Sequence, residues 1–289
     1  NEDDKNEDDK NDDDKNDVDK NEDDKNDVDK NEDDKNDVEE DEDESNDEEE
    51  DEEEDDYIIE FKDVPVMSMF IEKLDGTIEE LLNTEIYNVN IFISILFQIS
   101  FALYYLQKHY KFIHNDLHIN NIMYIKTEIE FFYYDIDGCF FKIPTYGYIF
   151  KIIDYGRCIF KFKNRNYTND SFLKHGEADS QYKIKNNNII NKNYSFDLCR
   201  LSTTLLDEFK NFDDIFKKDP LHNEFIDLLL HIVKDSNGDF IYDGLDTSFQ
   251  LYIDITNKAI NGLPQDVLKH SIFKKFICEK TTDSYYSLN

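Results

Sequence analysis

Apolar residues along this chain change their spacing several times, and each change predicts a different element. Over residues 89–106 they run almost unbroken, interrupted by Asn90, Ser94 and Gln98 at every fourth position. That interval puts the three polar groups on one helix face, so the run predicts a long, buried amphipathic helix. Its length and apolarity would also suit a membrane span, but lipid would then have to solvate the polar stripe. Residues 64–71 and 122–125 read as strands. Between residues 126 and 153, Tyr, Phe and Ile alternate around Asp137-Gly138. Asp-Gly suits a two-residue hairpin turn, whose central residues need positive φ, so an inserted β-ribbon is expected. Residues 160–193 are polar and irregular. Helical spacing returns from Phe196, most clearly over 223–233 and 248–260. The pattern as a whole predicts an α+β domain, predominantly helical.

Residues 1–56 have no such pattern. They repeat Asn-Glu-Asp-Asp-Lys and Asn-Asp-Val-Asp-Lys units and end in a Glu/Asp run from Asp41 to Asp56. Their apolar residues are Val18, Val28 and Val38, ten apart, which cannot build a packed face. The tract cannot bury enough surface to offset its ordering entropy and is predicted to be disordered. It holds 36 acidic and 7 basic side chains, a net −29 out of −36 for the chain. The body is therefore only mildly acidic and has no basic stripe, which argues against a nucleic-acid partner. Cys139, Cys158, Cys199 and Cys278 are scattered, with no zinc-ligand spacing, so free thiols in a reducing compartment are expected. No signal peptide is present, and a first residue of Asn reads as a piece of a longer chain.

The chemistry concentrates in three stretches. His114, Asp116 and Asn121 stand in H-x-D-x-x-x-x-N spacing within Phe112-Ile113-His114-Asn115-Asp116-Leu117-His118-Ile119-Asn120-Asn121. Lys151-Ile152-Ile153-Asp154-Tyr155-Gly156 puts an Asp-aromatic-Gly triplet after an apolar run. Ser195-Phe196-Asp197-Leu198-Cys199-Arg200-Leu201 opens a helix. Taken singly, an Asp in a loop is more often a turn or cap residue, and Asp197 alone would read as a helix N-cap. In this order and at these separations, the three resemble the catalytic loop, the D-F-G element and the bracing helix of the protein-kinase-like superfamily. The wording is most similar to that of kinases of large DNA viruses.

The resemblance implies a role for each matching residue. Asp116 would orient the acceptor hydroxyl and take its proton. Asn121 and Asp154 would be the Mg²⁺ ligands, as hard oxygen donors suit that cation. His118 stands where Ser/Thr kinases carry a Lys at the γ-phosphate. His114 would pack under the metal-binding segment and bond its backbone, and Asp197 would accept N–H bonds from the catalytic loop. Ile71 would be the gatekeeper, the backbone of Glu72 and Leu74 would face the adenine edge, and Met123 would floor it. ATP and Mg²⁺ are thus the implied cofactors, with a protein substrate and a cytoplasmic location (host cytoplasm or virion, for a viral protein). The implied organisation is an acidic tract at 1–56, the last small-lobe strand and hinge at 57–74, and the large lobe at 75–289.

Departures from that pattern limit the functional reading. None of the eight glycines forms G-x-G-x-x-G, and no V-A-I-K-like lysine precedes the hinge. The phosphate-gripping half of the small lobe is therefore expected upstream of Asn1, or it is lacking. Asn115 replaces the Arg of H-R-D, so this loop cannot pair with an activation-loop phosphate. No A-P-E triplet closes the activation segment, and Arg157 reads as a surface salt bridge. The wording D-L-H-x-x-N also occurs in aminoglycoside and choline kinases. Three functions stay open: a protein kinase acting on Ser/Thr, a small-molecule phosphotransferase, and a kinase-like scaffold without catalysis. Retention of Asp116, Asn121 and Asp154 favours an enzyme, since a scaffold has no chemical need for all three.

Overall fold

The computed structural model describes residues 62–65, 68, 70–82, 88–185, 188–209, 219–242, 249–281 and 286–287. The chain divides into two units, Asn1–Met67 and Ser68–Asn289. The acidic tract at 1–56 lies outside the described residues. So do Val66, Met67 and Met69 of the strand predicted at 64–71. The described remainder of that stretch is not a strand, and Phe70 and Ile71 are 97% and 69% exposed. A strand needs a neighbour for its N–H and C=O groups, and among the described residues none flanks this one.

Pairing starts at β1 (Gly76–Thr77), which runs antiparallel to β2 (Ile122–Lys126). Helix α1 (Ile78–Leu82) follows at once. Thr77 N donates to Glu80 Oε2 at 2.9 Å and Glu80 N to Thr77 Oγ1 at 3.2 Å, a reciprocal cap. On the other side of β2 lies antiparallel β5 (Tyr148–Ile152), which closes a three-stranded sheet.

Helix α2 (Val89–Tyr110) is the predicted long helix. It is long and apolar enough to cross a membrane, yet 72% of its most apolar window is buried inside the protein. Its polar stripe explains why. Ser94 Oγ donates to Pro144 O at 2.7 Å, Gln98 Nε2 donates to Ser94 Oγ at 3.2 Å, and Gln98 Oε1 accepts from Phe150 N at 3.2 Å. Those side chains satisfy the carbonyl at the end of β4 and an N–H in the middle of the outer strand β5.

The predicted ribbon is β3 (Phe131–Ile136) paired with β4 (Cys139–Pro144), in a register closed by Ile136 opposite Cys139. Asp137 and Gly138 take φ of 51° and 88°, as a primed turn requires. One strand face enters the core, where the Phe97 ring of α2 meets Tyr134, Phe141 and Phe273 at 5.1–5.2 Å between centroids. A Cβ added at Gly138 would touch nothing within 4 Å, so strain at that position comes from φ alone. Gly138→Ala is therefore expected to lower stability by about 1 kcal/mol in urea unfolding, without loss of the fold.

The polar stretch after Gly156 is more regular than its sequence suggests. Strands β6 (Phe160–Phe162) and β7 (Arg165–Tyr167) pair, as do β8 (Ile184–Lys185) and β9 (Asn188–Ile189). Ile159, Phe172, Ala178 and Tyr182 form a small core of their own. These residues are unevenly spaced in sequence, so no period marks the cluster. The helical remainder comprises α3 (Phe196–Phe209), α4 (Pro220–Ile232), α5 (Gln250–Lys258) and α6 (Pro264–Val267). Asp219 caps α4 by accepting from Leu221 N at 2.9 Å, with Pro220 at the first helical position.

Candidate functional site

The loop between α2 and β2 is fixed from below by α3. Asp197, fully buried at the start of that helix, accepts from His114 N at 2.9 Å and from Asn115 N at 3.0 Å. Burial raises its carboxyl above the usual range, with His114 and the two N–H donors pulling the other way. The His114 ring is also fully buried. Its Nε2 lies 2.8 Å from Ile153 O, and its Nδ1 accepts from Asp116 N at 3.3 Å. The carbonyl can only accept, so this pairing assigns the proton to Nε2 and makes the ring a strut between the loop and the residue before Asp154.

Asn115 completes the scaffold. It sits at φ 67°, a left-handed conformation that Asn tolerates better than most residues. Its Nδ2 donates to Arg157 O at 2.9 Å, and its Oδ1 accepts from the Tyr182 hydroxyl. A bridge between Ile113 and Ile159 adds backbone bonds to the same junction. A neutral amide thus joins the loop to the segment after Gly156, at the position where the resemblance has an Arg.

Asn121 links the loop to the segment that carries Asp154. Asn121, buried and at the end of a short 3₁₀ turn, donates from Nδ2 to Asp116 O at 2.8 Å, and Ile153 N donates to Asn121 O at 3.0 Å. The same Nδ2 is 3.0 Å from His118 Nε2, which leaves Oδ1 as the ligand-capable atom of the amide. Burial lowers the His118 pKa, opposed by the charges of Asp116 and Asp154 and reinforced by Arg200. Both carboxylates therefore favour the charged form of the one imidazole, against the larger effect of burial. Asp154 is exposed, at φ 58° and ψ 72°, and its Oδ1 accepts from Gly156 N at 3.2 Å. Asp, like Asn, tolerates that left-handed region better than most residues, and its carboxylate closes the turn locally.

Asn121 Oδ1 and the Asp154 carboxylate are hard oxygen donors of the kind Mg²⁺ takes, with remaining positions left for phosphate and water. Among the described residues, no group of three or more His, Cys, Asp or Glu could hold a metal alone.

The residues assigned to the adenine edge are less gathered. Met123 is partly exposed on β2 between Thr77 and Lys151, facing away from buried Ile122 and Tyr124. Leu74 is partly buried beside Asp75, whose N donates to Tyr124 O at 2.9 Å. Ile71 is exposed, and exposed Glu72 pairs with Lys151. Ile71 is therefore open to solvent and Glu72 reaches only Lys151 of β5, so neither lies inside an enclosed pocket.

Two features at Asp116 escaped the sequence reading. Arg157 is not a simple surface salt bridge: with a side chain 24% exposed, its Nη1 is 3.8 Å from Asp116 Oδ1 and its Nη2 3.5 Å from Glu177 Oε2. Tyr252, on α5, donates its hydroxyl to the same Asp116 Oδ1 at 2.6 Å. Asp116 and Tyr252 are 136 positions apart, and no local motif marks the pair.

No family model matches the chain. It is similar to an uncharacterized protein of Acanthamoeba polyphaga mimivirus, 31% identical over 126 residues, or 42% of this chain and 16% of that one. It is also similar to an uncharacterized protein of Invertebrate iridescent virus 6, 38% identical over 82 residues, or 27% of this chain and 14% of that one. The chain thus spans about a sixth or less of the length of the curated relatives it matches. Its similarity is to viral proteins.

Proposed function

We propose that this chain carries the catalytic half of a protein-kinase-type phosphotransferase that uses ATP and Mg²⁺ and acts on Ser or Thr hydroxyls of a protein. The supporting observation is the joint arrangement of three motifs far apart in sequence. Asp197 holds the backbone of His114 and Asn115, His114 reaches Ile153 next to Asp154, and the Asn121 amide reaches both the Asp116 carbonyl and the His118 ring. Phosphoryl transfer asks a protein mainly for position and charge, and this arrangement offers both. Asp116 would accept the proton of the attacking hydroxyl. Asn121 and Asp154 would hold Mg²⁺, which neutralises phosphate oxygens when bound. His118, whose Nε2 lies 3.0 Å from Asn121 Nδ2 and whose pKa burial lowers, would orient that amide and offer the phosphate less stabilisation than a Lys.

The sequence contains no G-x-G-x-x-G loop or anchoring Lys, so these 289 residues alone should bind nucleotide weakly, with Kd roughly millimolar. The test is calorimetric titration with ATP, with and without Mg²⁺, followed by transfer of labelled γ-phosphate by the full polypeptide. Binding that requires Mg²⁺, and label on Ser or Thr, are expected. A folded protein that neither binds Mg²⁺-ATP nor transfers label would overturn the reading. Label appearing only on small hydroxylated amines would move the substrate class to the small-molecule kinases.

A further inference from the structure

Asp116 is held from the side opposite its own loop. Tyr252 donates to Asp116 Oδ1 at 2.6 Å, and Arg157 Nη1 approaches the same oxygen at 3.8 Å. Both contacts fall on Oδ1, so Oδ2 is the oxygen left to face an incoming acceptor. The Tyr252 ring is itself fixed on several sides. It stacks on Phe249 with 13° between planes at 5.4 Å, and it meets Phe196 of α3 at 5.9 Å. The guanidinium carbons of Arg157 and Arg200 lie 5.7 Å and 5.2 Å from its centroid.

We infer that Tyr252 is a positioning residue for the reaction proposed above, and the inference rests on that reading. A carboxylate on a short side chain can present either oxygen, and rotation would spoil the line between acceptor oxygen and phosphate. A phenol that occupies Oδ1 removes that freedom and leaves Oδ2 as the proton acceptor. In the step itself, the acceptor O–H proton passes to Oδ2, the oxygen forms a bond to the γ-phosphorus of ATP, the bridging P–O bond breaks, and ADP departs. Tyr252 keeps its own proton throughout. A displaceable plug imitating the acceptor would also put a hydroxyl on Asp116. A ring packed between Phe249, Phe196 and two guanidinium groups is instead built to stay.

Tyr252→Phe removes the hydroxyl and keeps the ring. In the full polypeptide, assayed with labelled Mg²⁺-ATP and casein as acceptor, it should lower kcat by about ten- to a hundredfold. The KM for each substrate should stay within about twofold, since only an interaction made at the reacting carboxylate is lost. The melting temperature should change little. Unchanged kcat in Tyr252→Phe beside an active wild type would overturn the inference and leave the phosphotransferase reading intact. A rise in kcat or a fall in the acceptor KM would also overturn it, in favour of the plug. A folded wild type that transfers nothing would overturn both.

Discussion

Asp116→Ala and Asp154→Ala should both reduce phosphoryl transfer to background, and they should do so by separable routes. Loss of a positioned base costs roughly 10²- to 10⁴-fold in rate, while substrate binding does not depend on it. Asp116 Oδ1 is already engaged by Tyr252 and Arg157, and no hydrogen bond ties it to Asp154 or Asn121 through its side chain. Asp116→Ala should therefore keep Mg²⁺-ATP affinity within a few-fold of wild type. On the proposed reading, Asp154→Ala removes one of the two oxygen ligands of Mg²⁺, and the remaining Asn121 amide is uncharged. Affinity for ATP in Mg²⁺ should then drop by at least about tenfold, with little change in its absence. The side chain of Asp154 accepts a hydrogen bond from Gly156 N, so that turn also loosens, but the residue is exposed and the fold should survive. Calorimetric titrations and single-turnover transfer, run on the same preparations, separate the two effects. Normal transfer by Asp154→Ala would remove the metal role, and loss of ATP binding in Asp116→Ala would make that residue a ligand-site residue instead of a base.

The ease with which each part of this protein could be read follows from how local its determinants are. Helix α2 was legible because its apolar run and four-residue polar interval lie within one stretch of chain. The Asp137-Gly138 hairpin was legible because the turn needs its special residues at adjacent positions. His114, Asp116, Asn121, Asp154 and Asp197 could be singled out because fixed spacings tie each to its sequence neighbours. The use of the stripe was harder to foresee. Ser94 and Gln98 were read as an argument against lipid, but they serve as hydrogen-bond partners of Pro144 and Phe150, about fifty positions away. The small core of Ile159, Phe172, Ala178 and Tyr182 has no period, so its segment was read as irregular. Tyr252 lay within a predicted helix whose apolar spacing accounted for it fully. Its hydroxyl acquires a role only when α5 packs against α3 and the loop, a tertiary fact with no local signature. The described residues of 64–71 differ in the opposite direction: β-forming residues are present, but strand structure needs a partner that composition cannot supply.

The largest effect on stability should come from Asp197→Ala, at about 3–5 kcal/mol. The carboxylate is buried and accepts from His114 N and Asn115 N. Truncation leaves two buried N–H groups without an acceptor, each costing about 1–3 kcal/mol, and opens space beneath a loop that carries His114. Because the His114 ring spans to Ile153, the site should loosen along with the fold. Asp197→Asn keeps one acceptor oxygen and should cost roughly half as much. The two variants also part company with pH. Burial raises the folded Asp197 carboxyl above its unfolded value, so the folded protein holds that proton more tightly. The stability this group contributes is therefore fully present below the unfolded pKa and declines as pH rises through the folded one. Asp197→Asn lacks that slope, so its deficit against wild type should narrow as pH is raised across this interval. Urea unfolding of the three proteins from pH 4 to pH 8 measures both effects. A deficit under about 1 kcal/mol for Asp197→Ala would show that the loop's N–H groups find other acceptors, and that α3 does not brace the site.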